Sequence, residues 1–157
     1  MGRAVTLSKA DAGVPRLADF LGCWQIARRI EDRLLATTGA FEGMAEFVPV
    51  PEGLAYHEQG MLTLGGAAPL RAERRYLWRA GPDGRIIVDH GDGRPFHAFH
   101  PADPAARHLC GADDYAVRYD FGDWPRWRTH WTVRGPRKAY RMVSHYAPVS
   151  AGSRDRW

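Results

Sequence analysis

From residue 23 onward the chain alternates between apolar and polar positions with a period of two, the pattern of half-buried β-strands. It predicts strands near 23–32, 40–49, 54–63, 70–79, 85–90, 95–100, 106–110, 114–121, 126–134 and 138–147. Turn chemistry separates them: Pro49-Val50-Pro51-Glu52-Gly53, Gly65-Gly66, Gly81-Pro82-Asp83-Gly84, Gly91-Asp92-Gly93 and Gly135-Pro136. Ahead of the first strand, Val14 to Leu21 predicts a short helix, with Pro15 near its first turn and Gly22 ending it. The expected fold is all-β: an antiparallel barrel of 8–10 strands behind one short N-terminal helix, closed so that no sheet edge is left open. Residues 14–149 form one domain in this reading, with 1–13 and 150–157 as flexible tails.

The phase of the alternation separates an inner from an outer face. Phe41, Gly43, Ala45 and Phe47 oppose Glu42 and Glu46, and Tyr76 and Trp78 oppose Arg75 and Arg79. Tyr115, Val117, Tyr119 and Phe121 oppose Asp114, Arg118 and Asp120. Trp127, Thr129, Trp131 and Val133 oppose Arg126, Arg128 and His130; Tyr140, Met142, Ser144 and Tyr146 oppose Arg141 and His145. Much of this inner set carries a hydroxyl or an indole N–H, which need partners when buried. Such an interior suits a wet or ligand-filled barrel better than a sealed one.

Composition adds bounds. The formal charge of +4 and pI near 9.4 invite a nucleic-acid reading. Yet all 22 basic residues except Lys9 and Lys138 are arginine, interspersed with acids and never in runs. That is a mixed solvated surface, and no nucleic-acid partner is expected. Cys23 and Cys110 are too few for a disulfide framework. The opening residues lack the apolar stretch of a signal peptide, and no stretch approaches a membrane span. The expectation is a reduced, cytoplasmic protein with no membrane partner; Met1 to Thr6 fits the bare myristoylation pattern only as a short match.

Leu21-Gly22-Cys23-Trp24, an early strand with Gly43 and some ten alternating segments resemble the calycin group of lipocalin-like and fatty-acid-binding-protein-like barrels. The whole chain also resembles an uncharacterised bacterial family of calycin-like proteins. The residues that carry this likeness are Phe41-Glu42-Gly43, Tyr56-His57-Glu58-Gln59-Gly60, Arg75-Tyr76-Leu77-Trp78, His108-Leu109-Cys110 with Asp114-Tyr115, and Gly135-Pro136-Arg137-Lys138. That family has no assigned activity, so the likeness implies a fold and no mechanism. It also implies a late cation over the first-strand Trp24, for which Arg141 or Lys138 would serve.

The strongest candidate chemistry lies on the third and fourth strands. A turn centred on residue 66 pairs Leu62 with Leu70, Gly60 with Ala72, Glu58 with Arg74, Tyr56 with Tyr76 and Leu54 with Trp78. An acid–arginine pair and a tyrosine pair then stand side by side on the inner face, and Arg28 is in phase to join them. Buried charges are costly unless paired, so the group is either a self-satisfied bridge or a polar floor that orients a ligand. The candidate ligand-binding residues are Arg28, Tyr56, Glu58, Arg74, Tyr76, Trp78, Tyr119, Trp131 and Tyr140, with Arg74 as main anchor for an acidic group and Glu58 holding it. Phenolic acid decarboxylases are similar in these residue types, so proton transfer through Glu58 is the alternative.

His97-x-x-His100, His108-x-Cys110 and Asp114 are weaker. Positions three apart on a strand face opposite ways, which disfavours a closed zinc site, and His108 and Cys110 are spaced widely for a nucleophilic dyad. His145 takes the late position of the haem ligand in nitrobindin-like barrels, but falls on an outer face. No metal or cofactor is assigned. Lys138, a rare lysine, reads first as a chance survivor in an exposed turn; if functional, it would sit at the barrel mouth and guide an anion inward. The sequence therefore gives first a binder of a small anionic or aromatic molecule. A proton-transfer enzyme, a haem or metal protein and a structural barrel with a filled core follow, and the oligomeric state stays open.

Overall fold

The structure is a computed structural model that describes residues 13–149. Apart from Gly13, the expected tails and the Met1–Thr6 pattern lie outside the described residues. Ten strands follow in order: β1 (Gly22–Asp32), β2 (Thr37–Val50), β3 (Gly53–Leu64), β4 (Leu70–Ala80), β5 (Ile86–His90), β6 (Pro95–Phe99), β7 (Ala105–Cys110), β8 (Asp113–Asp123), β9 (Arg126–Gly135) and β10 (Lys138–Pro148). All pair antiparallel in one sheet, in the order β6-β5-β4-β3-β2-β1-β10-β9-β8-β7. This is the expected lipocalin-like barrel, but nearly closed where full closure was expected. Among the described residues no helix is long and apolar enough to cross a membrane.

Alternation sets the inner face. On β1, Trp24, Ile26 and Arg28 are buried while Gln25, Ala27 and Arg29 are exposed. The β3–β4 register is the one the hairpin turn dictates, with Glu58 opposite Arg74 and Tyr56 opposite Tyr76. β1 pairs with β10 so that Arg28 stands opposite Ser144. Gly43 and Gly60 are cross-strand partners on β2 and β3. A Cβ on Gly43 would lie 2.2 Å from the Gln59 carbonyl oxygen, and one on Gly60 would lie 2.1 Å from that of Glu42. Here the two backbones press together more closely than any side chain allows.

The lead-in differs from expectation. In place of a helix over Val14–Leu21, a single 3₁₀ turn spans Leu17–Phe20. The Arg16 amide donates to the Asp19 carboxylate at 2.7 Å, Leu21 is already extended, and Gly22 takes a left-handed φ of 112°. One turn is enough, because its task is to drive Phe20 into the barrel. Phe20 is wholly buried and packs among Trp24, Phe47, Trp78, Phe121, Trp124 and Trp127, with ring centroids 5.1–6.5 Å away. The Trp24 indole N–H donates to the Phe20 carbonyl at 2.8 Å. This aromatic plug closes one end of the barrel. The cation expected over Trp24 is not there: exposed Arg141 and Lys138 lie toward the other end, opposite Glu31 and Gly135, and Trp124 and Trp127 cover the indole instead.

The ring of strands ends at β6 and β7, which no ladder joins among the described residues. Side chains bridge this seam. Phe96 of β6 lies 5.4 Å from His108 and 6.2 Å from Tyr115. Phe99 stacks on Tyr119 at 4.0 Å, and His97 Nε2 hydrogen-bonds the Tyr119 hydroxyl at 2.8 Å.

Candidate functional site

Above the plug the interior opens into a cavity of about 340 Å³, within the range of small-molecule sites. All nine sequence candidates lie on its wall: Arg28, Tyr56, Glu58, Arg74, Tyr76, Trp78, Tyr119, Trp131 and Tyr140. The strands that carry them come from both halves of the chain, so only closure of the sheet brings them together.

The charged group has a different centre from the one expected. Glu58, 2 % exposed, is clasped by Arg28, not by Arg74. The Arg28 guanidinium donates to both carboxylate oxygens at 2.9 Å, and its Nε donates to Ser144 Oγ at 2.6 Å. Tyr56 adds a short bond to the same carboxylate at 2.5 Å, and its hydroxyl lies 3.2 Å from that of Tyr146. Arg74, 46 % exposed, comes only to 3.8 Å from Glu58. The reason is reach. Arg28 lies two strands from Glu58 and its side chain crosses beneath β2, past Phe41 at 5.0 Å, inside the barrel. Arg74 stands directly opposite Glu58 on the neighbouring strand but leans toward the opening.

These partners fix protonation. Burial pushes the Glu58 carboxyl up, but the hydrogen bonds and charge of Arg28 and the Tyr56 bond more than offset it, holding Glu58 below the usual carboxylate range. Burial likewise works against the Arg28 charge, and the Glu58 bond outweighs it. Burial raises the Tyr56 hydroxyl, reinforced by Tyr146 and Glu58, and it raises Tyr146 as well. Glu58 is thus a fixed carboxylate with its oxygens already engaged. As the alternative proton carrier it is a poor donor, and with its oxygens engaged and its pKa lowered it is a weak base.

His97, for which the sequence makes a metal-ligand role the weaker reading, is a hydrogen-bonded histidine buried in the cavity wall. Burial, with the charges of His108 and His90, pushes its pKa down to about 3, so the imidazole is neutral. Its Nδ1 and the indole nitrogen of Trp127 are buried without a hydrogen-bond partner among the described residues. Trp127 is stacked flat on Tyr146, with centroids 3.7 Å apart.

The mouth is lined by His90, Arg94, Phe96, His108, Cys110 and Tyr115. Phe96 is its centre, stacked on His90 at 4.5 Å and on Trp131 at 5.2 Å. Lys138 is no free guide here: it is held by the Tyr115 hydroxyl at 2.9 Å and Asp113 at 3.4 Å, off the cavity wall. His100 accepts from the Ala102 amide, Asp114 pairs with Arg107 on the outer face, and His145 is exposed outside the barrel. Among the described residues no three His, Cys, Asp or Glu side chains converge as a metal site.

Sequence reasoning missed His97, Trp127, Ser144 and Tyr146 as site residues, although their phase is inward. The β9–β10 turn aligns Ser144 and Tyr146 with β9, but nothing local aligns β10 with β1, so the Arg28–Ser144 meeting had no sequence signal.

Comparison with known proteins bears on the fold and the family. The chain is similar to the S-type phycobiliprotein lyase CPES from Guillardia theta, with a TM-score of 0.59 at 6% identity, over 86% of this chain and 91% of that one. Two redesigned β-barrels solved bound to DFHBI, mFAP0 and mFAP1, align at TM-scores of 0.41 and 0.39 with 14% and 12% identity. They cover 82% and 83% of this chain and 97% and 95% of theirs. No curated protein matches. At such identities the likeness concerns architecture alone. A family model spans residues 20–148, and the chain belongs to that family, the family of unknown function DUF6314.

Proposed function

We propose that this protein is a calycin-like barrel that binds a small, flat, partly aromatic molecule through an acidic group. The observation that carries this reading is the division of labour between two arginines. Arg28 neutralises Glu58, which leaves Arg74 as a wall cation with no close carboxylate partner. A guanidinium at the edge of an apolar cavity is a fork for a carboxylate or sulfonate. Tyr76, Trp78, Phe96 and Trp131 offer planar faces around the same space. His97 and Trp127 line the same space, and each keeps one buried nitrogen without a hydrogen-bond partner among the described residues. A reducing, cytoplasmic setting belongs to the same proposal. Proton-transfer catalysis is the less supported reading, because both Glu58 oxygens are engaged by Arg28 and Tyr56, which lower its basicity.

The test uses anilinonaphthalene sulfonate, whose fluorescence rises in apolar sites, beside its uncharged parent lacking the sulfonate. Arg74→Met should weaken sulfonate binding about 10- to 100-fold, the worth of a hydrogen bond to a charged group, and leave the uncharged dye unaffected. Equal affinity of the sulfonate for both proteins would remove Arg74 from the site.

A further inference from the structure

The open end carries a feature that the cavity does not use. Three turns lie side by side there: residues 33–36 between β1 and β2, 65–69 between β3 and β4, and 136–137 between β9 and β10. Their strands are consecutive in the sheet, and backbone bonds tie them together. The Gly65 amide donates to the Thr38 carbonyl at 2.8 Å and the Arg33 amide to the Ala139 carbonyl at 2.7 Å. Leu34, Leu35, Leu64 and Leu70 stand on this crest, 42–72 % exposed. With Leu109 they make up five of the eight large apolar side chains exposed among the described residues, all at the end away from the plug.

The charges within these turns have one sign. Segments 33–36, 64–71 and 135–138 hold Arg33, Arg71, Arg137 and Lys138 and no acid. Lys138 is committed to Tyr115 and Asp113. Arg33, Arg71 and Arg137 are exposed and carry no ion pair among the described residues. The nearest acids are exposed Glu31, Asp32, which accepts the Leu35 amide at 3.0 Å, Asp113, which holds Lys138, and Glu73, which is bonded to His57.

We infer that this crest docks on an anionic lipid surface, with the leucines at the acyl boundary and the three arginines on lipid phosphates. Exposed leucines flanked by unpaired cations are the surface counterpart of an interfacial amphipathic helix. A second copy fits poorly, because a twofold contact would set Arg33, Arg71 and Arg137 against themselves. A nucleic-acid backbone would satisfy the arginines and strand the four leucines in water. The docking is peripheral, and it stands apart from whatever the cavity holds. No sequence window shows it, since each turn is short and they meet only in the closed sheet.

The experiment is flotation of the full chain with vesicles of phosphatidylcholine containing about one third phosphatidylserine, against phosphatidylcholine alone. Binding is expected to the anionic vesicles only. It should fade as ionic strength rises from about 0.01 M to about 1 M and the screening length falls from roughly 30 Å to roughly 3 Å. Arg33→Gln and Arg137→Gln should each lower the partition about fivefold. The double change Leu34→Ser and Leu35→Ser should lower it at least as far. All these positions are exposed, and an unchanged thermal midpoint will show that the variants are folded. Absence of flotation, flotation indifferent to the leucine changes, or a dimer in sedimentation that those changes dissolve would each overturn the inference.

Discussion

Arg28 and Arg74 both approach Glu58, and the fold gives them opposite duties. Arg28 is 7 % exposed and holds both carboxylate oxygens, so Arg28→Met leaves a buried charge unpaired and should cost about 3–5 kcal/mol of stability. Arg74 is half in solvent and loosely placed, so Arg74→Met should cost less than about 1 kcal/mol. Urea denaturation of the two variants checks the contrast; equal losses would mean that the pair is shared. Glu58→Gln should behave like Arg28→Met, since it leaves the guanidinium buried without its counter-charge. His97 supplies a pH signature. Its folded pKa, about 3, lies below the ordinary value of 6.5, so the unfolded chain binds the extra proton. The stability tied to neutral His97 is therefore full above about pH 6.5 and is lost as pH falls toward 3, by up to about 1.4 kcal/mol per pH unit. His97→Gln, which keeps a polar partner for Tyr119, should flatten that acid limb in denaturation midpoints taken across the range. Of the site, the β3–β4 quartet was legible in the sequence, because one turn fixes its register and a slip would bury Arg71, Glu73 and Arg75 instead. The claim of Arg28 on Glu58 was not legible, because it depends on how far a long side chain travels beneath an intervening strand.

At the scale of elements, the strands were readable almost residue by residue, since period-two alternation and Gly-Pro turns reinforce each other. The lead-in was less so: Val14–Leu21 has a plausible helix start and stop, but the need to seat Phe20 at the barrel floor overrides local preference and leaves one 3₁₀ turn. Phe20→Ala should cost about 3–5 kcal/mol, read as a lower urea midpoint, since six aromatic neighbours converge on that ring and cannot all collapse into the gap. Gly60 makes the complementary point. An added methyl would meet the Glu42 backbone, not a yielding side chain, so Gly60→Ala should destabilise by about 2 kcal/mol or more although the residue is only partly buried.

For the whole molecule, stability is expected to be uneven around the ring. β1 is bonded on both flanks, by β2 and β10, whereas β6 and β7 each have one laddered neighbour. Hydrogen exchange should therefore be fastest along Pro95–Cys110 and slowest on β1 to β3 and β9 to β10; uniform protection would mean that the seam is sealed in solution. The thiols report the same asymmetry. Cys110 is exposed at the mouth and Cys23 half-buried near the plug, so a bulky maleimide should label Cys110 first and block dye entry as it does so.

The seam has a consequence for how this barrel would measure its guest. In a ring sealed all round by a ladder, strand number and stagger set the bore, and a larger guest can enter only by tearing backbone bonds. Here Phe96, Phe99 and His97 act as a clasp against His108, Tyr115 and Tyr119. Springing one aromatic contact costs about 0.5–1.5 kcal/mol, and no strand need part from its neighbour. Size is then priced in graded steps instead of barred by a wall, so affinity should decline gently as a rigid ligand outgrows the resting bore.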